Sequence, residues 1–144
     1  MFRQKKKTHV EIIKNNGREE EKKMSAKAEK IHNILIELEK NSEIDNSALI
    51  NLKGQMMASA LHKETDERAI AAMTAALTSV GSRVADTLKS GKTGSIVING
   101  SKKLVILSQL SQAVLIALAP ADAKIGLIDF EVNSALDSIK MVLG

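Results

Sequence analysis

The longest amphipathic stretch of this chain is "ETDERAIAAMTAALTSVGSRVADTLKSG", residues 64–91. Its large apolar side chains recur at steps of three and four, the spacing that one face of an α-helix requires. Thr65 or Asp66 can cap the helix N-terminus, where Asp66 and Glu67 also suit the positive end of the helix dipole. We therefore predict a long helix whose apolar stripe lies on a β-sheet. The stripe consists of Ile70, Met73, Leu77, Val80, Val84 and Leu88.

A second face of this helix carries small side chains where a water-facing helix would usually carry Glu and Lys. Small side chains let two helix backbones approach closely, although alanine is also simply a good helix former. We favour the first explanation and predict a contact with another helix, in a second subunit. The small face consists of Ala72, Ala75, Ala76 and Ser79, with Ser82 and Arg83 continuing it.

A hairpin pattern precedes this helix in "DNSALINLKGQMMASAL", residues 45–61. Two apolar runs flank Lys53-Gly54, and a glycine can supply the positive φ that a tight turn needs. The pattern predicts strands at about residues 46–52 and 55–62.

Three further strands are predicted after the helix. The sequence "GSIVINGSKKLVIL", residues 94–107, is typical of a hairpin about Asn99-Gly100, a pair that favours the type I′ turn. The near-continuous apolar run at 112–119 predicts a strand that is buried on both faces and that Pro120 ends.

Helical patterns occupy the two ends of the remaining chain. Residues 25–41, "SAKAEKIHNILIELEKN", predict a helix that Ser25 caps, and residues 122–144 predict one that Asp122 caps. The stripe of the last helix consists of Ile125, Ile128, Val132, Leu136, Ile139 and Leu143. This element order predicts an α+β fold, an α-β-β-α-β-β-β-α sandwich. Its five-stranded antiparallel sheet should carry the long middle helix on one face and the terminal helices on the other.

The net charge of +4 is confined to the start of the chain. Residues 1–24 hold eight Lys or Arg and four Glu, whereas the remaining residues hold thirteen charges of each sign. A basic segment with few apolar residues is usually disordered and solvated. We therefore predict a flexible or extra-helical extension at 1–24 and one folded domain at 25–144. Three roles for the extension stay open, namely folding on a partner, contacting a membrane or covering a groove.

The composition disfavours several classes of function. The chain has no cysteine, and His9, His32 and His62 lack the spacing of metal ligands. Phe2 and Phe130 are the only aromatic residues, too few for a protein that stacks single-stranded bases. We expect no metal, no cofactor and no nucleic-acid partner. Because no signal-peptide core follows the N-terminal charges and polar residues interrupt the longest apolar stretch, we expect a soluble, cytoplasmic protein.

The sequence "LKSGKTGS", residues 88–95, is similar to the end of a phosphate-binding loop. That motif requires a glycine five positions before Gly91, where this chain has Asp86. The motif also follows a strand and opens a helix, whereas here a helical pattern comes first and a strand pattern follows. We interpret the segment as a helix-to-strand loop rather than a nucleotide site.

The order of these patterns, over about residues 25–144, resembles the roadblock family of dynein light chains and prokaryotic GTPase regulators. The resemblance rests on "SALINLKGQMMASAL", the Ala-rich helix, "GSIVINGSKKLVIL" and the closing "KIGLIDFEVNSALDSI". It implies a homodimer in which the third strands pair across the two subunits, with the two middle helices side by side. The dimer contacts would then be Ala72, Ala75, Ala76, Ser79, Ser95, Ile96, Val97 and Ile98.

The same resemblance implies a non-catalytic regulator or scaffold that binds a small Ras-like GTPase. The expected partner contacts are Arg68, Ser82, Arg83 and Asp86. A structural adaptor of a motor or signalling assembly, without a GTPase, would show the same sequence features and is the alternative. A ligand-sensing or nucleic-acid-binding module would need a polar pocket or a basic folded face. An enzyme would need a catalytic set, and the chain shows no nucleophile elbow.

Overall fold

The structure is a computed structural model that describes residues 9–144. Within this range it contains three helices and five strands, in the predicted order. The helices are α1 (His9–Asn41), α2 (Glu67–Thr87) and α3 (Ile125–Leu143). The strands are β1 (Asn46–Asn51), β2 (Met56–Ser59), β3 (Ser95–Asn99), β4 (Lys103–Leu110) and β5 (Ala113–Pro120).

The strands form one sheet in the order β2-β1-β5-β4-β3, with every neighbouring pair antiparallel. Helices α1 and α3 pack against one face of the sheet and against each other, and α2 packs against the opposite face. The α+β sandwich is therefore confirmed. Strand β5 lies at the centre and is buried along most of its length, as its continuous apolar run predicted.

The two faces of the sheet are covered unequally. The core beneath α1 and α3 contains eighteen buried apolar residues, including Leu35, Ile106 and Val132. The core beneath α2 contains six, including Ile50 and Leu107. A single helix cannot span the whole sheet, so the α2 face leaves apolar surface uncovered near the sheet edge.

Helix α1 begins earlier than the sequence suggested. The predicted start and cap at Ser25 are wrong, because the helix runs over 33 residues from His9 to Asn41. Among the residues of α1 whose burial is described, 17–23 and 25–41, Ile31 is the first buried one. The preceding turns are rich in Glu and Lys, which favour helix without needing a core to pack on. Residues 1–8 of the predicted extension lie outside the described residues, and the domain boundary at 24/25 stays a prediction.

Of the two predicted hairpin turns, the first is confirmed and the second is wrong. Gly54 takes φ of 82°, which confirms the predicted role of this glycine in the β1–β2 turn. The type I′ turn at Asn99-Gly100 is wrong, because neither residue has a positive φ. Asn99 still pairs with Leu104 in the sheet, and the Gly100 N–H donates to the Lys103 carbonyl at 3.0 Å. The ladder thus extends past the predicted turn, and the chain reverses between Gly100 and Lys103.

The start of α3 also differs from the prediction. Its N-cap is Lys124 rather than Asp122, and no side chain caps it. Ile125 was expected on the buried stripe but is 47% exposed. The rest of the stripe from Ile128 to Ile139 is buried, so the contact of α3 with the core begins after its first residues.

Candidate interaction surface on the middle helix and the edge strand

Helix α2 contacts the sheet through small side chains. Ala71, Thr74 and Thr78 are its buried residues, and the Thr78 hydroxyl donates to the Thr74 carbonyl at 2.8 Å, which satisfies the hydroxyl. A Cβ built at Gly81 would lie 2.6 Å from Cδ1 of Ile96 on β3. The helix therefore lies very close to the sheet, where no large side chain fits between them.

The large apolar stripe of α2 faces outward. The prediction that this stripe lies on the sheet is wrong for all its members except Ile70, which is half-buried against the core. The others range from 37% exposed at Leu77 to 72% at Leu88. The outward stripe consists of Met73, Leu77, Val80, Val84 and Leu88.

The volume of the side chains explains why the small residues of α2, and not its large apolar stripe, face the sheet. The sheet surface beneath α2 already carries large side chains, among them Ile50, Leu107 and Ile116. A helix that meets such a surface with small side chains can approach closely and leave no void. The steps of three and four from Ala71 through Thr74, Thr78 and Gly81 were the sequence signal for this face, and sequence reasoning missed it.

Strand β3 forms an open edge beside this stripe. It pairs with β4 on one side, and no strand pairs with its other side within residues 9–144. Val97 and Ile98 are 40% and 44% exposed. An open apolar edge has unpaired backbone N–H and C=O groups and invites another strand.

The stripe and the edge form one continuous surface. Leu77, Val80 and Val84 line a shallow hollow of about 520 Å³ together with Ile96 of β3. The register places Ile96 and Ile98 on the α2 side of the sheet and Val97 on the opposite side. We call the outward stripe with Ile96 and Ile98 the α2–β3 surface.

The predicted small face of α2 lies around the helix from this surface. Ala72, Ala76 and Ser79 are exposed, whereas Ala75 is half-buried. A Cβ built at Gly54 would lie 3.7 Å from Cβ of Ala75, so the β1–β2 turn packs against this face within the same chain. The alanines thus have one role inside the subunit, and their predicted contact with a second subunit stays a prediction.

The predicted partner-binding residues do not form one cluster. Arg83 and Asp86 are exposed near the C-terminal half of α2, and Ser82 beside them is half-buried. Arg68 is exposed in the first turn of the helix. It lies roughly 22 Å along the axis from Arg83, at about 1.5 Å per residue. One partner must cover most of the helix length to contact both arginines.

The segment that is similar to a phosphate loop follows the C-terminus of α2. The N–H of Ser90 donates to the Ala85 carbonyl at 2.9 Å and that of Lys89 to the Asp86 carbonyl at 3.2 Å, which closes the helix. The segment therefore follows carbonyl groups, not the free N–H groups that bind phosphate. The interpretation as a helix-to-strand loop is confirmed.

A polar cluster anchors α1 to the start of β1. None of its residues belongs to the α2–β3 surface. The Ser47 hydroxyl donates to Oε2 of Glu39 at 3.1 Å, and burial raises the pKa of Glu39 above its ordinary value. Lys103 forms an ion pair with Asp45. Burial alone would raise the pKa of Asp45, but the hydrogen bonds from Lys103 and Asn46 together lower it.

Metal sites and membrane-spanning helices were also considered for the described residues. The residues whose side chains are described, 17–23 and 25–144, contain no group of three or more His, Asp or Glu side chains placed to hold a metal ion. Among the same residues, every helix is too short or too polar to cross a membrane.

Comparisons with known proteins agree with this architecture. Residues 30–119 match a family model described as "Roadblock/LC7 domain". An uncharacterized protein of Methanocaldococcus jannaschii is 27% identical over 110 residues, which cover 76% of this chain and 96% of that protein. The solved structure of Myxococcus xanthus MglB superposes with a TM-score of 0.74 at 19% identity, covering 79% of this chain and 87% of that one. The gliding protein MglB of Thermus thermophilus superposes with a TM-score of 0.72 at 16% identity, covering 81% and 90%.

Proposed function

Since residues 30–119 match its model, the chain belongs to the Roadblock/LC7 domain family, and we propose that it is a non-catalytic homodimeric regulator or scaffold that binds a small Ras-like GTPase. The observation that carries the proposal is the α2–β3 surface. In it an outward apolar helix stripe adjoins an open apolar sheet edge. A surface of this kind usually marks a site of protein association.

The first step of the proposal is a dimer built on this surface. Two copies of β3 pair along their open edges, so that Ser95 to Ile98 contact their twins and the two sheets become one. The outward stripes of the two α2 helices then lie against each other, with Val80 near the middle. This arrangement removes the unpaired edge and the exposed stripe from water together. Ala76 and Ser79 lie at the border of the contact.

The second step is a platform for the partner. Pairing through the outward stripe leaves part of the small face and the neighbouring flank of each α2 facing water, where Arg83 and Asp86 are exposed. The two flanks together offer a surface that a single subunit lacks. In this proposal Arg83 and Asp86 contact the GTPase beside Ser82, and Arg68 contacts it at the far end of the helix. None of these residues is assigned a catalytic role, and the protein works in the cytoplasm.

The decisive experiment measures binding and GTP turnover together. The full chain is immobilised and incubated with a purified small Ras-like GTPase from the same cell, loaded with GDP or with a non-hydrolysable GTP analogue. We expect retention in one nucleotide state, and a changed rate of GTP hydrolysis or nucleotide exchange when the protein is added. Arg83→Glu should abolish retention, whereas Lys124→Glu, an equally exposed change at the opposite end of the fold, should not.

A dimer that retains no GTPase in either nucleotide state would contradict the regulator role. In that case crosslinking in cells identifies the proteins that contact the dimer. An adaptor function predicts contacts without any nucleotide-binding protein among them.

A further inference from the structure

A cavity of about 680 Å³ lies at the end of the sheet that carries the β1–β2 and β4–β5 turns. Its volume falls within the range of small-molecule sites, about 300–1,000 Å³. The last turn of α3 closes one side through Lys140 and Leu143. None of its lining residues belongs to the α2–β3 surface, so its ligand would be independent of the proposed dimer and GTPase contacts.

The floor of the cavity is apolar. Met57, Leu110 and Leu143 are partly buried against the larger core, and Ala113 is fully buried beneath them. An adjoining cavity, also of about 680 Å³, shares Met57 and Leu143 and continues beneath α1. Because the two cavities share lining residues, we treat them as one groove with an apolar floor, which can take a hydrocarbon chain.

The wall of the cavity combines polar side chains of the β1–β2 turn with two lysines. The Asn51 side-chain amide donates to Oε1 of Gln55 at 2.9 Å, and Asn51 Oδ1 accepts from two backbone N–H groups of the turn. The Asn51 side chain is therefore engaged within the turn. Lys53 and Lys140 line the cavity, and neither forms an ion pair with a side chain of residues 17–144.

Acidic groups are scarce around this groove. The first cavity has no Asp or Glu in its lining. The adjoining cavity contributes Lys27 and Glu21, which balance each other. The rim of the first cavity is therefore positive above an apolar floor.

We propose that this groove binds an anionic amphiphile, a molecule with an unbranched hydrocarbon chain and a carboxylate or phosphate head. The chain lies along Met57, Leu110 and Leu143, where it is removed from water. The head lies between the ammonium groups of Lys53 and Lys140, which bind it by charge-assisted hydrogen bonds.

Methionine-methyl NMR of the full chain with dodecanoate, below its micelle concentration, tests the proposal. Met57 lines both cavities, whereas Met73 and Met141 are exposed on α2 and α3. We expect a saturable shift of the Met57 methyl signal and unchanged Met73 and Met141 signals. Equal shifts at all three methyl groups would mean unspecific adsorption to apolar surface and would overturn the proposal.

Ligands with the same hydrocarbon chain and different head groups show whether the charge of the head or the chain is recognised. Dodecyl phosphate should bind like dodecanoate, and dodecyltrimethylammonium, with the same chain and opposite charge, should not. Inorganic phosphate alone should not shift the methionine signals. If it shifts them as strongly as dodecyl phosphate does, the hydrocarbon chain is not recognised and the proposal fails.

Paired lysine variants provide the matched control. Lys53→Gln with Lys140→Gln should weaken dodecanoate binding about tenfold, because two ammonium contacts are lost. Lys102→Gln with Lys124→Gln changes the net charge equally at the opposite end of the sheet and should leave binding unchanged. Equal binding by both double variants would show that the rim lysines do not hold the head group and would refute the site.

Discussion

The two edge strands of the sheet differ in length and in how far the rest of the chain covers them. Strand β2, at one edge, has four residues, and its pairing with β1 is interrupted between Leu49 and Ile50. Helix α1 lies beside it, and Nδ1 of His32 is 2.8 Å from the Ser59 carbonyl. Strand β3, at the other edge, is uncovered and apolar within the described residues. A short, interrupted and covered edge resists pairing, whereas the open apolar edge requires a partner.

The same difference extends to the helices that accompany the two edges. Helix α1 directs its large side chains, such as Leu35 and Leu38, into the core. Helix α2 directs small side chains inward and leaves Val80 and Val84 outside. Exposed apolar surface is therefore concentrated beside β3, the edge where a second copy of the chain would continue the sheet.

The largest effect is expected from a charge placed in the outward stripe. Val80→Glu should weaken self-association by at least about 100-fold, because dimerisation would bury an unpaired carboxylate. Sedimentation equilibrium of the full chain at micromolar concentration measures the change. Phe130→Glu is the matched control, because Phe130 is 68% exposed on α3 and should have no effect on mass. A dimer of unchanged stability in Val80→Glu would exclude the α2–β3 surface as its contact.

The second prediction separates the two faces of α2. Ala76→Glu with Ser79→Glu changes only exposed positions of the small face. We expect self-association to weaken by less than about tenfold, since these side chains lie at the border of the contact. The same sedimentation measurement decides it. If this double variant separates the subunits more completely than Val80→Glu does, the small face is the main contact, as the sequence pattern predicted.

The third prediction concerns the covered edge. His32→Ala should lower the free energy of unfolding by about 1 kcal/mol, because the Ser59 carbonyl loses its hydrogen-bond donor. Chemical denaturation measures the loss, and the dimer constant should stay the same. Asn33→Ala, at an exposed neighbouring position of α1, serves as the control. A wild-type stability in His32→Ala would mean that α1 does not secure β2 through this contact.

The smallest effect is a pH dependence at Glu39, which joins α1 to β1. Since its folded pKa is raised, the folded state holds this proton more strongly than the unfolded chain does. The stability at this site is therefore greatest at low pH and falls as pH rises through the unfolded and then the folded pKa. Glu39→Gln should be slightly more stable than wild type at about pH 7 and equally stable at about pH 3. Denaturation at both pH values tests this, and a gain that persists at low pH would contradict it.

Much of the fold followed from local patterns, and the errors occurred where packing decides. The apolar run of β5 and the glycine of the β1–β2 turn are local features, and both were predicted correctly. The start of α1 was missed because Glu and Lys favour helix even without a core. The turn after β3 was misplaced because the ladder between β3 and β4 outweighs the preference of Asn99-Gly100.

The candidate site was predicted only in part. The resemblance predicted β3 as the pairing edge with α2 as the helix beside it, and both stay predictions until the mass in solution is measured. The sequence pattern assigned the wrong face of α2 to the sheet, because a large apolar stripe is the usual sign of a buried face. The cavity at the turns was not foreseen, since its lining comes from three separate parts of the chain.

What the sequence alone determined is the order of helices and strands, because hydrophobic periodicity and turn residues act over a few neighbouring positions. Only the tertiary structure decided which face of α2 meets the sheet. Two stripes of equal helical spacing competed for that position, and the side chains of β1, β4 and β5 left room only for Ala71, Thr74 and Thr78. Close packing excludes the larger stripe from that contact, and its exclusion creates the surface that a partner can cover.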